Sequence, residues 1–398
     1  MVNSPLEFLA QKYENVVKYD AKGNVAGIFV KFPKMKSSDL VSGLPNHTHP
    51  AFIINNVEKD YILLGKYKGC DNGVANGAIV SLPNLKPINS LGADQCLSRM
   101  KLAGSGITGM TVADYGFIKL LAQKEGWVPK GNTNYGQSHK DATNWAKNTT
   151  YTLNTERAYH GWLYKCVQAH TSTESLTPDK HPEYWQRVKH IGGVYVNDYI
   201  TLSGTGPLDW YLGSDVGNLA DIIGSSLEQQ YGYRIYDCEL QILPDNNAAD
   251  PEADLSASSA AWKAILPNAN DDGYTLVAPG TAGTLKWNWK NSKITLDTEL
   301  AEGTLSVGSK GDSFVNIVIN TTNIPYVPSI VKELGLVPTG AGDNTEGYYY
   351  VNFTSGERFP RRGGSYYNAS YAGLGYVSAY DERGYTSAVY GCRPRSLD

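Results

Sequence analysis

The sequence predicts an α+β fold in which strands outnumber helices. Alternating apolar and polar residues from Gly27 to about Tyr67 predict short strands joined by polar loops. Similar alternation recurs from Thr275 to Ile319. Between Ser90 and Gly126, apolar residues instead recur at helical spacing. Together these three patterns favour a β-rich domain with a few helices.

The first elements along the chain are an N-terminal arm and two helices. Residues 1–26 are predicted to form the arm, with a short helix from Pro5 to Val17 followed by a turn. The next helix is predicted from Leu91 to Leu102. A further helix should begin after Thr111, whose hydroxyl can accept a first-turn N–H, and end at Gly126.

Residues 27–398 are predicted to form one domain that carries two insertions. Aromatic residues are dense in Tyr159–Cys166 and in Pro182–Trp185, which favours an inserted β-module at about 150–198. An Asp-, Asn- and Ala-rich stretch predicts a loop-rich insertion at about 245–300. Two more helices are predicted at about 216–230 and 328–334.

Charge and hydropathy exclude several classes of partner. The 398-residue chain has a formal net charge of −4 and no block of Lys or Arg, which argues against nucleic acid and anionic membranes. No apolar run approaches the roughly 18 residues that a membrane-spanning helix needs. The first thirty residues do not resemble a signal peptide. We therefore expect a soluble protein without a signal peptide and without membrane insertion.

The cysteines do not indicate a metal site or a dense disulfide framework. They are odd in number, widely spaced and form no CxxC pair. The sequence favours free thiols and leaves one disulfide as an alternative. The five residues are Cys70, Cys96, Cys166, Cys238 and Cys392.

Tyrosine is abundant, and its distribution indicates a recognition surface. The chain has 28 Tyr against 8 Phe, and ten of the tyrosines follow Gly347. Tyr with Ser, Asn and Gly is the chemistry of antibody paratopes, because Tyr supplies a large contact area with few rotors. We predict that 363–391 is such a surface. The alternative is a tyrosine-rich segment packed on its own protein, and Tyr376 and Tyr390 are assigned to packing.

A sequence motif near the C-terminus carries a family resemblance. Glu-Arg-Phe-Pro-Arg-Arg-Gly-Gly-Ser-Tyr at 357–366 is followed by Gly-Cys-Arg-Pro at 391–394. This pattern resembles the C-terminal signature of formylglycine-generating-enzyme-like C-type lectin folds. More narrowly it resembles the variable proteins of diversity-generating retroelements, the group that includes the phage major tropism determinant. The resemblance implies a C-type-lectin-like domain from about Gly27 onward.

The resemblance also implies separate fixed and varied positions. In such proteins, adenine-directed mutagenesis of AAC-type codons diversifies a C-terminal repeat. The implied fixed frame is Gly363, Gly364, Gly373, Glu382, Arg383, Gly391 and Arg393. The implied varied, ligand-binding positions are Ser365, Tyr367, Asn368, Tyr371, Ser378, Tyr380, Asp381, Tyr385, Ser387 and Val389. Tyr366 stands where the variable proteins usually have Trp.

Enzymes that share this fold provide a contrasting expectation. Formylglycine-generating enzymes bind copper through two cysteines just after the Gly-Gly-Ser-Tyr motif. The matching positions are Asn368 and Gly373, and neither residue supplies the thiolate that Cu(I) needs. We therefore expect no oxidase activity, no catalytic residues and no cofactor.

Other metal sites are not expected. All seven histidines precede residue 191, and His47 and His49 form the one tight pair, for which a solvated loop is favoured over a metal site. The motifs of calcium-dependent sugar-binding lectins are not found, and the acidic stretch Asp245–Asp254 is expected to be solvated.

The aromatic module resembles small chitin-binding carbohydrate modules, in which exposed aromatic rings stack on sugars. Its candidate residues are Trp162, Tyr164 and Trp185. Core packing of the same residues is the favoured alternative, because a small insertion needs its few aromatics for a core. Glycan binding by this module is an accessory hypothesis.

The resemblance, together with the tyrosine-rich segment, implies a receptor-binding, tropism-determining protein of a phage or prophage tail that is made in the bacterial cytoplasm. Its partners would be a host-surface receptor, either protein or glycan, and other virion tail proteins. Several copies acting together would compensate for modest single-site affinity, so we expect a homo-oligomer such as a trimer. The alternative is a structural virion protein or bacterial-surface adhesin with one fixed partner.

Overall fold

The computed structural model describes residues 15–73, 77–194, 199–270 and 272–397. Short strands dominate this part of the chain, which confirms the β-rich α+β class. Of the predicted helix at 5–17, residues up to 14 lie outside the described part, and 15–17 are in a strand. The α-helices of the described residues are Ser37–Leu40 (α1), Ala93–Lys101 (α2), Val112–Glu125 (α3) and Ser329–Glu333 (α4).

A five-stranded sheet joins the two ends of the chain. The strand Pro394–Ser396 pairs antiparallel with Tyr61–Gly65 on one side and with Ile107–Gly109 on the other. The segment after the Gly-Cys-Arg motif is therefore anchored between strands from the first third of the chain. In spatial order, the strands are Asn15–Tyr19, Val25–Pro33, Tyr61–Gly65, Pro394–Ser396 and Ile107–Gly109.

A six-stranded mixed sheet contains most of the C-terminal segment. Its central strand Gly373–Ala379 pairs in parallel with Tyr348–Thr354 and antiparallel with Arg361–Gly363. The predicted recognition segment is therefore partly built into a sheet. In spatial order, the strands are Ser306–Ser313, Tyr348–Thr354, Gly373–Ala379, Arg361–Gly363, Leu227–Gln229 and Tyr390–Gly391.

An eight-stranded sheet occupies much of the predicted 245–300 insertion, which is therefore more regular than expected. Its hairpin Lys286–Lys290/Lys293–Asp297 turns through Asn291 and Ser292. Both turn residues have positive φ, 50° and 58°, as a tight two-residue hairpin turn requires. The other strands are Tyr274–Val277, Lys263–Pro267, Glu239–Ile242, Val318–Ile319, Tyr233–Tyr236 and Glu357–Arg358.

The remaining elements are short. The region predicted as an aromatic module forms a three-stranded sheet, Glu156–Tyr159, Trp162–Cys166 and Trp185–His190, beside the pair Thr150–Tyr151 and His170–Thr171. Two further strand pairs are Ile53–Ile54 with Val57–Glu58 and Cys70–Asp71 with Ile79–Val80. The 3₁₀ segments are Pro50–Phe52, Leu208–Trp210, Leu212–Ser214, Asn247–Ala249, Phe314–Asn316 and Ala369–Tyr371.

Helix α3 begins and ends as its sequence predicts. The Thr111 hydroxyl accepts the Asp114 N–H at 3.1 Å, and the Asp114 carboxylate accepts the Thr111 N–H at 3.0 Å. Gly126 ends the helix in the left-handed conformation, with φ 70°. The apolar side chains of helix α3 pack in one core with residues from all three large sheets. The helix therefore packs against all three sheets. Among the described residues, no helix is long and apolar enough to cross a membrane.

The prediction of a helix at 216–230 is wrong. From Ala220 onward, backbone N–H groups of this segment donate to distant parts of the chain and not to carbonyls one helical turn earlier. Ala220 N donates to Lys66 O at 2.9 Å, and Leu227 N donates to Val389 O at 2.8 Å. Asp221 has φ 55°, which an α-helix does not accommodate. The segment instead runs through the interior as an irregular chain and ends in the strand Leu227–Gln229.

All five cysteines are buried free thiols. The thiols of Cys96 and Cys392 lie within hydrogen-bonding reach of each other, and this contact and burial raise the pKa of Cys392. The prediction of free thiols is confirmed.

The histidine pair is not a solvated loop. His49 is fully buried: its Nδ1 accepts the Ala51 N–H at 3.1 Å, and its Nε2 donates to the Glu333 carbonyl at 3.1 Å. Burial lowers the pKa of His49 to about 4, so the ring is neutral near pH 7. His47 is partly exposed and lies between Glu333, 2.6 Å from Nε2, and Asp272, 3.3 Å from Nδ1.

This arrangement predicts a pH-dependent stability contribution from His47. The hydrogen bond that protonated His47 donates to Glu333, together with the negative charges of Glu333 and Asp272, raises the pKa of His47. A raised folded-state pKa gives stability that is fully present below the unfolded value of about 6.5 and is lost as pH rises through the folded value. We expect the difference in unfolding free energy between wild type and H47Q to be larger at pH 6 than at pH 9. Urea denaturation at both values tests this, and an equal difference would contradict it.

Candidate recognition surface

One strand of the six-stranded sheet presents tyrosines on its outer side. Along Tyr348–Thr354 the burial alternates, with Tyr349 and Val351 in the core and Tyr348 and Tyr350 partly exposed. The rings of Tyr348 and Tyr350 lie 4.6 Å apart between centroids. Tyr371 adds a third ring at 4.5 Å from Tyr348.

These rings belong to a larger contiguous set that we term the tyrosine surface. Tyr376 and Tyr390 are buried beneath it, which confirms their assignment to packing, and they form one cluster with the partly buried Tyr348, Tyr350 and Tyr366. At its edges, the ring centroids of Tyr366 and Tyr367 lie 5.2 Å apart and those of Tyr385 and Tyr390 lie 6.1 Å apart. The members of the tyrosine surface are Tyr348, Tyr350, Tyr366, Tyr367, Tyr371, Tyr380 and Tyr385.

The ten predicted binding residues divide by exposure. Tyr367, Tyr371, Tyr380 and Tyr385 have 48% to 54% of their surface exposed. The three of intermediate exposure are Asn368, Asp381 and Ser387.

The prediction that the other three are displayed is wrong, because each is buried. The Ser365 hydroxyl donates to Asn368 Oδ1 at 2.9 Å inside a turn. Ser378 is 6% exposed in the central strand Gly373–Ala379, and Val389 packs in the cluster beneath the tyrosines. These three side chains can act on a ligand only through the shape of the surface.

A recess of about 290 Å³ lies between the exposed rings of Tyr380 and Tyr385. Asp381, Glu382 and Asn352 supply acceptors and an amide, and Arg358 supplies a cation. The Arg358 side chain is 8% exposed, and its Nε has no hydrogen-bond partner among the described residues. Aromatic walls with several polar groups are the chemistry of a site for a polar ring-shaped ligand.

Asp381 and Glu382 differ in how firmly they are held at this recess. Asp381 accepts the Tyr390 hydroxyl at 2.5 Å, so its carboxylate is fixed to a buried ring. The Glu382 side chain is 74% exposed and lies 3.8 Å from Arg358. The Glu382 carboxylate is therefore not buried and can rotate to meet a ligand, and the assignment of position 382 to the fixed frame stays a prediction.

A second recess, about 540 Å³, opens beside Tyr348 and Tyr371. His139 and Glu346 also line it. Lys140 forms a close ion pair with Glu346, which ties the chain that leads into the module to the loop beside the recess. The tyrosine surface therefore contains two concave, polar regions, one at Tyr380 and Tyr385 and one at Tyr348 and Tyr371.

A buried ionic network lies next to the cluster beneath this surface, because its Glu228 follows Leu227, which packs with Tyr376 and Tyr390. Arg393 is fully buried and donates to both carboxylate oxygens of Glu228 and to the Ala220 carbonyl at 2.9 Å. Lys68 donates to Glu228 at 2.7 Å. Burial opposes the charged form of Glu228, but Arg393 and Lys68 together hold its pKa below its usual value. The Arg of the Gly-Cys-Arg motif therefore has the structural role predicted for it.

Other predicted frame residues are also packed tightly. The Arg383 guanidinium donates twice to Glu357, at 2.7 Å each, and to the Leu255 carbonyl at 2.6 Å. Gly364 has φ +81°, and a Cβ there would lie 2.7 Å from the Cβ of Ala372. A side chain at position 364 would therefore displace the turn that carries Tyr366 and Tyr367.

In the aromatic module, burial separates packing residues from surface residues. Trp185 and Tyr164 are buried, and Trp185 packs edge to face on Tyr151 at 5.0 Å, so the packing alternative is correct for these two. Trp162 is only partly buried, and the Arg187 guanidinium lies 4.5 Å from its ring centroid. Trp162 is therefore the predicted module residue with ring surface available.

Sequence reasoning missed four tyrosines at or beside the surface. Tyr348 and Tyr350 could have been found from the period-2 alternation of their strand. Tyr135 and Tyr199 contact Tyr366 from segments far away in sequence, at 5.5 Å and 6.1 Å between ring centroids. No local pattern predicts that contact.

Within the described part of the chain, no group of three or more His, Cys, Asp or Glu side chains is arranged to hold a metal ion. The candidate site itself consists of aromatic rings, hydroxyls, carboxylates and one buried guanidinium. Its chemistry suits noncovalent recognition.

Comparison with known proteins gives two findings. Streptogrisin-C of Streptomyces griseus is 28% identical over 116 residues, which are 29% of this chain and 25% of that protein, so the match spans about a quarter of the relative's length. Residues 144–186 match the model of carbohydrate-binding module family 5/12. The matched residues coincide with most of the aromatic module. This segment is thus similar to carbohydrate-binding modules, which indicates a ligand-binding role directed at glycans.

Proposed function

We propose that this chain is a receptor-binding protein that attaches to glycan-bearing cell surfaces through the tyrosine surface and the module at 144–186. The observation that carries the proposal is the contiguous tyrosine surface over a buried ionic support. In the finer form of the proposal, the protein is a C-type-lectin-like tropism determinant on a phage or prophage tail, without catalytic activity or cofactor.

The separation of exposed tyrosines from buried, hydrogen-bonded residues supports this proposal. Tyr367, Tyr371, Tyr380 and Tyr385 expose rings and hydroxyls, as paratope residues do. Arg393 is buried with its hydrogen bonds satisfied by the interior. Because the exposed residues make few of the contacts that hold the fold, they can vary while the support stays constant. A retroelement can diversify the exposed residues only if their replacement leaves the fold intact.

Glycan recognition also fits multivalent attachment. Single sugar sites are commonly weak, and several copies on one particle raise the effective concentration of each further site. A homo-oligomer on a virion tail would place several tyrosine surfaces and modules on one particle. A protein with one fixed partner is the competing function, and a neighbouring reverse transcriptase gene with an adenine-rich template repeat would decide against it.

We expect W162A to lower retention on insoluble chitin and on peptidoglycan about tenfold, since one aromatic anchor commonly contributes more than 1 kcal/mol. Both materials are polymers rich in N-acetylglucosamine. Trp162 is partly exposed, so W162A removes a ring on which a sugar can stack. The core of the module should remain folded, because buried Trp185 is unchanged. Pull-down with the purified full chain measures this.

The matched control is L153A, which changes an apolar module residue that is 59% exposed. It should retain wild-type binding. Retention of W162A equal to wild type would remove the module from the proposal. An excess of soluble N-acetylglucosamine oligosaccharide should compete with the polysaccharide and abolish wild-type retention, and unchanged retention would contradict glycan recognition altogether.

A further inference from the structure

Two exposed tyrosines outside the predicted segment have an unfavourable backbone. Tyr135 has φ 52° and Tyr199 has φ 63°, both in the left-handed region. Bulky side chains rarely adopt this conformation because it carries a free-energy cost. Each residue is also 45% exposed, so burial of its ring offsets only part of that cost.

The two residues lie on the two chain segments that connect the module to the rest of the fold. Tyr135 precedes the module and Tyr199 follows it, yet their rings meet edge to face at 5.2 Å and 88°. The segments are joined where Gly193 N donates to Gly136 O at 3.0 Å. Both rings also approach Tyr366, so the three form one aromatic group that we term the linker platform.

A buried asparagine fixes this geometry. Asn132 is fully buried, and its Nδ2 donates to the Tyr199 carbonyl at 2.8 Å. Its Oδ1 accepts the Gly136 N–H at 2.7 Å, which closes the turn that contains Tyr135. The Tyr135 N–H donates to the Tyr366 carbonyl at 2.8 Å. Hydrogen bonds from both sides therefore hold the strained residues in place.

The linker platform connects the two regions of the proposed function. Tyr366 lies next to Tyr367 on the tyrosine surface, with ring centroids 5.2 Å apart. On the other side, the N–H groups of Ile191 and Gly192 both donate to the Gly161 carbonyl at the turn of the Tyr159–Trp162 hairpin. The linker platform therefore lies between the base of the module and the tyrosine surface.

We propose that Tyr135 and Tyr199 are ligand-binding residues and that the linker platform binds one pyranose ring of a glycan held between the module and the tyrosine surface. This inference rests on the proposed function. Exposed phenol rings suit a pyranose because its C–H face packs on the ring while its hydroxyls hydrogen-bond to the phenol oxygens. Retained backbone strain at an exposed aromatic group is typical of a binding site.

The test uses asparagine variants, because asparagine tolerates the left-handed conformation better than tyrosine does. Y135N and Y199N should keep or raise the melting temperature of the full chain. Their affinity for an N-acetylglucosamine hexasaccharide should fall about tenfold, as expected when an aromatic contact is lost. Y135F, which keeps the ring but loses the phenol oxygen, should bind more tightly than Y135N and more weakly than wild type. Calorimetry measures both quantities.

The control is Y326N, which changes a tyrosine that is 52% exposed and lies outside both aromatic surfaces. It should leave affinity unchanged. If Y135N and Y199N bind as tightly as wild type, or lose stability without losing affinity, the two residues are structural and this inference alone is overturned. If the wild type binds no hexasaccharide, the inference and the glycan proposal both fail.

Discussion

Replacement of Arg393 by alanine is expected to lower the free energy of unfolding by about 3–5 kcal/mol, the usual cost of removing one partner of a buried ion pair. The guanidinium is fully buried between Glu228 and the carbonyls of Gly65, Lys66 and Ala220. The alanine variant leaves all four acceptors with fewer donors, and water cannot reach them without opening the core.

Two further variants make this experiment specific. R393K keeps the positive charge but not the planar fork, so it should recover part of the loss. K22A removes an exposed charge from a turn and should stay within about 0.5 kcal/mol of wild type. Urea denaturation gives all three values. An R393A loss below 1 kcal/mol would show that the ionic network does not support the surface.

The sequence was most informative where local chemistry decides structure. The Thr111 cap and the Gly126 stop predicted helix α3, because both act within a few residues of the helix end. The strands at 286–290 and 293–297 lie where alternating apolar and polar residues predicted strands. The prediction of a helix at 216–230 was wrong because a buried irregular segment can be as rich in apolar residues as a buried helix. The hydrogen bonds that distinguish them lead to distant residues such as Lys66 and Val389.

For the candidate site, the sequence identified composition better than geometry. The tyrosine-rich segment and its four exposed tyrosines could be predicted because their residue types suit recognition. The burial of Ser365, Ser378 and Val389 could not, since each depends on how the segment enters the six-stranded sheet. Tyr135 could not be found either, because Asn132 and Tyr366 position it through tertiary contacts.

The combined replacement of Tyr371, Tyr380 and Tyr385 by alanine is expected to remove most receptor binding while leaving the fold intact. An aromatic hot spot commonly contributes about 2 kcal/mol or more, equivalent to roughly 30-fold in affinity for each residue. All three rings are about half exposed, so each change should cost about 0.5 kcal/mol of stability. Adsorption to a bacterial strain that binds the wild-type protein measures the first effect, and the melting temperature measures the second.

Comparison with R393A makes this experiment decisive, because the tyrosine variant should lose binding whereas R393A should lose stability. The tyrosine variant should melt near the wild-type temperature and adsorb poorly, whereas R393A should melt early. Y326A, at a comparably exposed tyrosine elsewhere, should change neither quantity. If the triple variant unfolds at a much lower temperature, the rings of the tyrosine surface are packing residues. If it adsorbs normally, binding resides in the module or the linker platform, because those are the other aromatic surfaces that the triple variant leaves unchanged.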